Sequence, residues 1–392
     1  MQAQGNLVIV DVLRGLSAQA VLLGHYHALL VAGAAQEPVS WLTRFVWRAI
    51  HLASAGSHQA VMVFFLLSGF LVGSQVLRQV ADGEFRYGDY MLRRLARLYS
   101  VILPGLVLTW LAVQLAFGAG HGWEWIQQNR PWYPAWFDPA HSNSVSTLAC
   151  NLAGLQMIAC YQYGHNLALW SLSNELLYYI AFPSLVLLAT AGRIGPRAVH
   201  AVAALAVGIL MASGTTPNDP DRTLIYYNGF VIWSAGALLP GALARWSRLH
   251  PAGRWALFAA VLAVSLLICW RAASIHLQDY GVAGLAVCAL AAASALPQAA
   301  RRGAGARAMA HLASYSYTLY FIHLPLLLVA VATVTWPLVK IGQDGRGAAM
   351  FLGACVAANL AAWLFYLPFE RRYRAVYRYA SALAARLGLA RG

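Results

Sequence analysis

The sequence predicts an all-α polytopic membrane protein with about ten transmembrane helices around a polar chamber at mid-depth, and three observations predict it. Hydrophobic residues make up 60% of the 392 positions and charged residues only 10%, where a soluble domain carries about 25% charged; the mean hydropathy is +0.59. The apolar residues gather into runs of roughly 20, the length that crosses a hydrocarbon core as a helix. Four of those runs are interrupted by polar or ionisable residues, which inside a membrane face protein or water and mark function.

The expected spans fall near 7–33, 59–80, 99–118, 165–190, 199–213, 225–244, 255–273, 280–297, 313–336 and 347–368, the fifth being short. The first has no basic leader and carries Asp11 and Arg14, so it reads as a span and not as a cleaved signal peptide. The outer loop from about 119 to 164 is too long for a turn. It holds Trp123, Trp125, Trp132, Tyr133, Trp136 and Phe137, for which an interfacial aromatic belt is the plainer expectation and a platform for stacking sugar rings the sharper one. The piece 145–160 reads as a helix in or on the bilayer. Residues 1–368 thus form a transmembrane domain and 369–392 a basic cytoplasmic tail.

Lys and Arg number 27 against 13 Asp and Glu. A basic excess invites a nucleic-acid partner, but here it sits in short clusters between apolar runs, such as Arg93, Arg94 and Arg97 or Arg371, Arg372 and Arg374. The positive-inside rule accounts for that placement. The expectation is an inner-membrane protein in the lipid bilayer with both termini cytoplasmic and no nucleic-acid partner. Five cysteines fit neither a zinc spacing nor a disulfide framework, so no metal is expected. Cys150 and Cys160 fall on the outer side, where they either pair or pack unpaired.

The polar motifs converge on one depth. On the first span Asp11 and Arg14 are three apart and able to neutralise each other, and His25, eleven past Arg14, lies on the same face about 16 Å along the axis. The other interrupted spans read VMVFFLLSGFLVG (61–73), LWSLSNELLYY (169–179) and SYSYTLYFIHLPLLL (314–328). Counted from the ends of their spans, Ser68, Glu175 and His323 each lie about 14–15 Å deep, near the middle of a core about 30 Å thick. His25 and Glu175 are the candidate catalytic pair, with Asp11 and Arg14 beside them. Ser68, Trp170, Ser173, Asn174, Tyr179 and His323 are the candidate substrate-binding residues. Each also has a plainer role: Ser68-Gly69 lets helices approach closely, His323 before Pro325 holds a kinked helix, and Tyr317 and Tyr320 pack with a hydroxyl handle. His27, on another face than His25, is peripheral. Arg93, Arg94 and Arg97 serve equally as topogenic charge or as a fork for phosphate oxygens.

Together these motifs resemble the acyltransferase-3 family of integral membrane acyltransferases. Arg14 with His25 resembles the family's arginine–histidine signature, VFFLLSGFL (63–71) its FFVLSGFL piece, RRLARLYS (93–100) its RRxxRIxP piece and YTLYFIHLP (317–325) its YslYliHwP piece. Against WSLSVEEQFY, this chain keeps Trp170, Ser171, Leu172, Ser173, Glu175 and Tyr179 but has Asn174, Leu176 and Leu177, so one glutamate is available. Ser100 stands where a proline is usual, and Glu370 in YLPFERRYR (366–374) lacks the proline commonly found after it. The extra SGNH esterase-like domain of many relatives is expected to be absent.

The resemblance implies transfer of an acetyl group from acetyl-CoA to a hydroxyl of a surface or secreted glycan such as O-antigen or exopolysaccharide. CoA phosphates would meet Arg93, Arg94, Arg97 and Arg14 from the cytoplasm. Such transfer needs a base for the alcohol and an oxyanion stabiliser. His25, an imidazole that titrates near working pH, is the expected base, and Glu175 or a backbone carbonyl would fix its tautomer. The alternative is a secondary transporter of a small polar solute, since polar mid-depth residues and broken helices are also transporter features; the internal repeat that it calls for is not visible in the sequence.

Overall fold

The computed structural model describes residues 3–31, 40–118, 142–190, 194–212, 220–294, 303–331 and 340–387, and among them it forms helices and no named strand. The loop aromatics from Trp123 to Phe137 lie outside the described residues.

The first span is α1 (Ala3–Leu30). A short amphipathic helix absent from the expectations follows, α2 (Trp41–Ser54), whose first turn is capped where the Ser40 hydroxyl accepts from the Thr43 amide at 3.2 Å. Trp41, Leu42, Phe45 and Leu52 on it are exposed, the pattern of a helix lying at a lipid interface. The second span is α3 (Ser57–Ser68), a π-helical turn (Gly69–Gly73) and α4 (Ser74–Ala81). The third, α5 (Tyr87–Gly118), begins a dozen residues before the expected boundary and so takes Arg93, Arg94 and Arg97 onto the helix itself. Next come the short α6 (Val145–Leu152), α7 (Trp170–Thr190), α8 (Ile194–Ala212), α9 (Pro220–Trp246), α10 (Pro251–Arg271) and α11 (Ile275–Ser294). The chain closes with α12 (Ala304–Ser314), α13 (Ser316–Ala330), α14 (Gly345–Tyr366) and α15 (Tyr373–Arg386).

Seven stretches of helix among the described residues are long and apolar enough to cross a membrane, and eight if the pair α12–α13, bent by 57°, counts as one. The remaining two of the ten expected spans are helical but weaker: α8 is short, and the Tyr226, Tyr227, Asn228 and Trp233 of α9 dilute its hydropathy. The bend lies at Tyr315 and not at Pro325, which α13 accommodates. Of the expected helix at 145–160, only Val145–Leu152 forms. Cys150 on that helix is joined by a disulfide to Cys160 beyond it.

α1 packs against α3, α12 and α13, α5 against α13, and α3 with its π turn against α9. A Cβ on Gly69 would collide with the Trp233 carbonyl oxygen, so the second span and α9 cross at backbone contact, as small residues permit between membrane helices. The outer surface is apolar, with Trp255, Leu257, Val264, Leu266, Leu267 and Trp270 of α10 exposed, as expected where hydrocarbon is the solvent. The tail is tied in: α15 packs on α5, and Glu370 is fully buried.

Candidate active site

A cavity of about 370 Å³ lies inside the ring of helices and is lined from α1, the second span, α5, α7, α13 and Tyr373. On the second span its wall runs from Val61 to Gln75, about 20 Å of axis. At the Gln75 end stand Arg94, Arg97 and Tyr373; Arg14, Ser68, Glu175 and Tyr179 lie along its length; Ser171 and Tyr320 belong to the Val61 end.

The guanidinium groups are held differently. Arg14 donates to the Ser316 hydroxyl at 3.2 Å and, although three residues from Asp11, makes no ion pair with it, which corrects the expected Asp11–Arg14 neutralisation. Arg93 is spent on Asp89 one turn away, at 2.5 Å, and does not line the cavity. Arg97 pairs with Glu370 at 2.5 Å, and the other Glu370 oxygen accepts from the Thr318 amide at 3.1 Å and the Thr318 hydroxyl at 2.5 Å. A buried carboxylate so saturated is a fixed counter-charge. Arg97 also lies over the Tyr373 ring at 4.9 Å. Arg94 has a buried Nε without a partner, leaving it the least committed of the three α5 arginines.

Glu175 is not the partner of His25. Its Oε1 accepts from the Ser68 hydroxyl at 2.9 Å and from the Tyr179 hydroxyl at 2.5 Å, while Trp233 Nε1 donates to Ser68 Oγ at 3.1 Å. Ser68 therefore does more than let helices approach: the π turn that follows it and the close crossing of α9 hold it on the carboxylate. Such turns recur at functional sites.

The partner of His25 is His323. His25 Nδ1 lies 2.7 Å from His323 Nε2, the rings stack at 5.0 Å with 6° between planes, and His323 Nδ1 is 3.1 Å from the Leu319 carbonyl oxygen. A carbonyl oxygen only accepts, so His323 Nδ1 carries the proton. For two neutral rings, His323 Nε2 then accepts from His25 Nδ1–H, and the His25 lone pair falls on Nε2. A backbone carbonyl thus fixes the tautomer, through an intervening ring. His323 is fully buried, a positioning group in place of the substrate contact expected. His25 does not line the cavity. It stands at the Val61 end behind Tyr320, whose ring lies 6.1 Å from His323 and whose oxygen accepts from Ser171 Oγ at 2.7 Å.

Three other expected substrate contacts are structural. Ser173 and Asn174 are fully buried, one bonded to the Gly154 carbonyl at 2.8 Å and the other to the Tyr178 hydroxyl at 3.3 Å. Trp170 is off the cavity, packed edge-on to Phe65. His27 meets the edge of the His51 ring at 4.5 Å. Sequence reasoning missed Glu370 as the Arg97 counter-ion and Tyr373 as cavity wall; a lone acid in an arginine-rich segment was the available signal for the first.

No curated protein and no solved structure gives a match to this chain. A family model described as an acyltransferase domain matches residues 7–369, which takes in the cavity residues from Arg14 to Tyr320 and stops just short of Glu370 and Tyr373. The chain belongs to the acyltransferase-3 family and is a membrane acyltransferase.

Proposed function

We propose that this acyltransferase moves an acetyl group from acetyl-CoA, entering at the cytoplasmic Arg94 end, to a hydroxyl of a surface or secreted glycan arriving at the His25 end. The observation that carries this reading is the cavity itself, with guanidinium groups at one end and a tautomer-fixed imidazole behind the other. Arg94 and Arg14 suit phosphate oxygens, and a slot about 20 Å long accepts an extended thioester arm. The positive-inside rule puts the Arg94 end in the cytoplasm. The family match gives no support to a transporter.

In the reaction, His25 Nε2 takes the proton of the acceptor hydroxyl as its oxygen attacks the thioester carbonyl carbon. Tyr320, whose oxygen already accepts from Ser171, keeps its own proton to donate to the developing oxyanion. The C–S bond then breaks, the ester is released on the acceptor, and the proton passes from His25 to the CoA thiolate.

The test is mass analysis of surface glycans from cells with the wild-type gene, without it, and with His25→Ala. The variant is expected to reach the membrane at wild-type level and to lose at least about a hundredfold in glycan acetylation, the lower range for a general base. Wild-type acetylation in His25→Ala overturns the role of His25. Identical glycans with and without the gene overturn the acceptor class.

A further inference from the structure

A second imidazole stands at the same end of the cavity. His58 lies on the second span three residues before Val61, on the stripe that continues through Phe65, Ser68 and Val72 along the cavity wall. Gly24 packs so closely on Ser57 that a Cβ there would collide with it. His25 and His58, their neighbours in sequence, are therefore level with each other on adjacent helices, both about one turn beyond the cavity's Val61 end.

His58 is built into place. Its Nε2 meets Asp279 Oδ2 at 3.2 Å, and its ring stacks on Trp170 at 6.0 Å with 8° between planes. Asp279 is fully buried on α11, its Oδ1 without a partner, and His276 Nδ1 is 4.0 Å from its Oδ2. A carboxylate accepts, so Nε2 carries the proton and Nδ1 is the outward-facing nitrogen. The His58 side chain is 22% exposed, and Nδ1 has no hydrogen-bond partner among the described residues. A carboxylate-backed imidazole with its second nitrogen open is the arrangement that receives a hydroxyl: neutral, it accepts from the hydroxyl, and protonated, it donates to the oxygen.

We infer that His58, positioned by Asp279, is an acceptor-binding residue that holds a second hydroxyl of a polyhydroxylated acceptor while the reacting hydroxyl meets His25. The inference rests on the proposed transfer and deepens it at the acceptor: two hydroxyls of the sugar ring or similar polyol are engaged, where a simple alcohol offers one. Trp170, expected as a substrate contact and found off the cavity, then has the role of bracing the His58 ring.

The test uses the full chain in proteoliposomes with acetyl-CoA inside and either methyl α-glucopyranoside or 1-propanol outside, following CoA release and ester formation. The wild type is expected to acetylate the glycoside and leave propanol untouched. His58→Ala should raise the glycoside KM about tenfold or more, the loss of a hydrogen bond to a charge-assisted group, with the acetyl-CoA KM within about twofold. His58→Gln, which keeps a polar end, should recover part of that loss, and Asp279→Asn should raise the glycoside KM without moving that of acetyl-CoA. A glycoside KM unchanged in His58→Ala, or both KM values rising together, overturns the assignment and leaves the transferase reading standing. Propanol accepted as well as the glycoside overturns the acceptor class. No CoA release by the wild type with either probe overturns the transfer itself, and the assignment with it.

Discussion

At the scale of single residues, the buried Glu370 carboxylate is matched by a partner that is distant in sequence. Glu370 and Arg97 are 273 positions apart, and removing the carboxylate leaves a cation and the Thr318 amide uncompensated in the protein interior. Breaking a buried pair on one side costs about 3–5 kcal/mol, and since the Arg97 side chain is 28% exposed the lower figure is the expected one. Glu370→Ala should therefore unfold at a clearly lower temperature in detergent than the wild type, with Arg97→Met in the same background restoring much of the difference. An unchanged unfolding temperature in Glu370→Ala refutes that role. Spacing made the Arg14–His25 stripe legible, since eleven residues are three turns of one helix. It gave no access to His323 as the partner of His25, because that contact is tertiary. His58 and Asp279 each fall one residue before an expected span boundary, at 59 and 280, where a polar residue reads as the end of a hydrophobic run.

At the scale of elements, hydropathy located most spans and misjudged their ends. The early start of α5 was hidden because three arginines and an aspartate lower the local average, although they sit on continuous helix. The bend at Tyr315 has no proline to announce it. The π turn at Gly69–Gly73 was equally invisible, being one residue more per turn than the α-pattern holds. Its effect is testable: deleting Leu71 removes the one residue that the π turn adds, so the segment reverts to α-helix with Gln75 and Val76 on their present faces, while the widened turn that seats Ser68 on Glu175 and Gly69 on the Trp233 carbonyl is lost. The deletion is expected to abolish transfer and to cut the yield of monodisperse protein severalfold; full activity would show that the turn is dispensable.

At the scale of the molecule, the expected all-α membrane architecture holds, while the cavity depended on packing that no single span encodes. Disulfides persist in oxidising compartments, so the orientation proposed from the arginine distribution, with the Cys150–Cys160 bond on the side away from the cytoplasm, has a direct test. In intact spheroplasts a membrane-impermeant maleimide should label these two cysteines after mild external reduction and not before. Labelling without reduction would overturn the bond, and none after reduction its outward placement. The position of Glu370 bears finally on how the protein is made. It follows the described spans in the chain, so Arg97 has no counter-ion until the stretch around Glu370 is in place. Chains cut short before that point carry an unbalanced arginine in their interior, which gives the membrane's quality control a physical mark by which to tell an unfinished copy from a finished one.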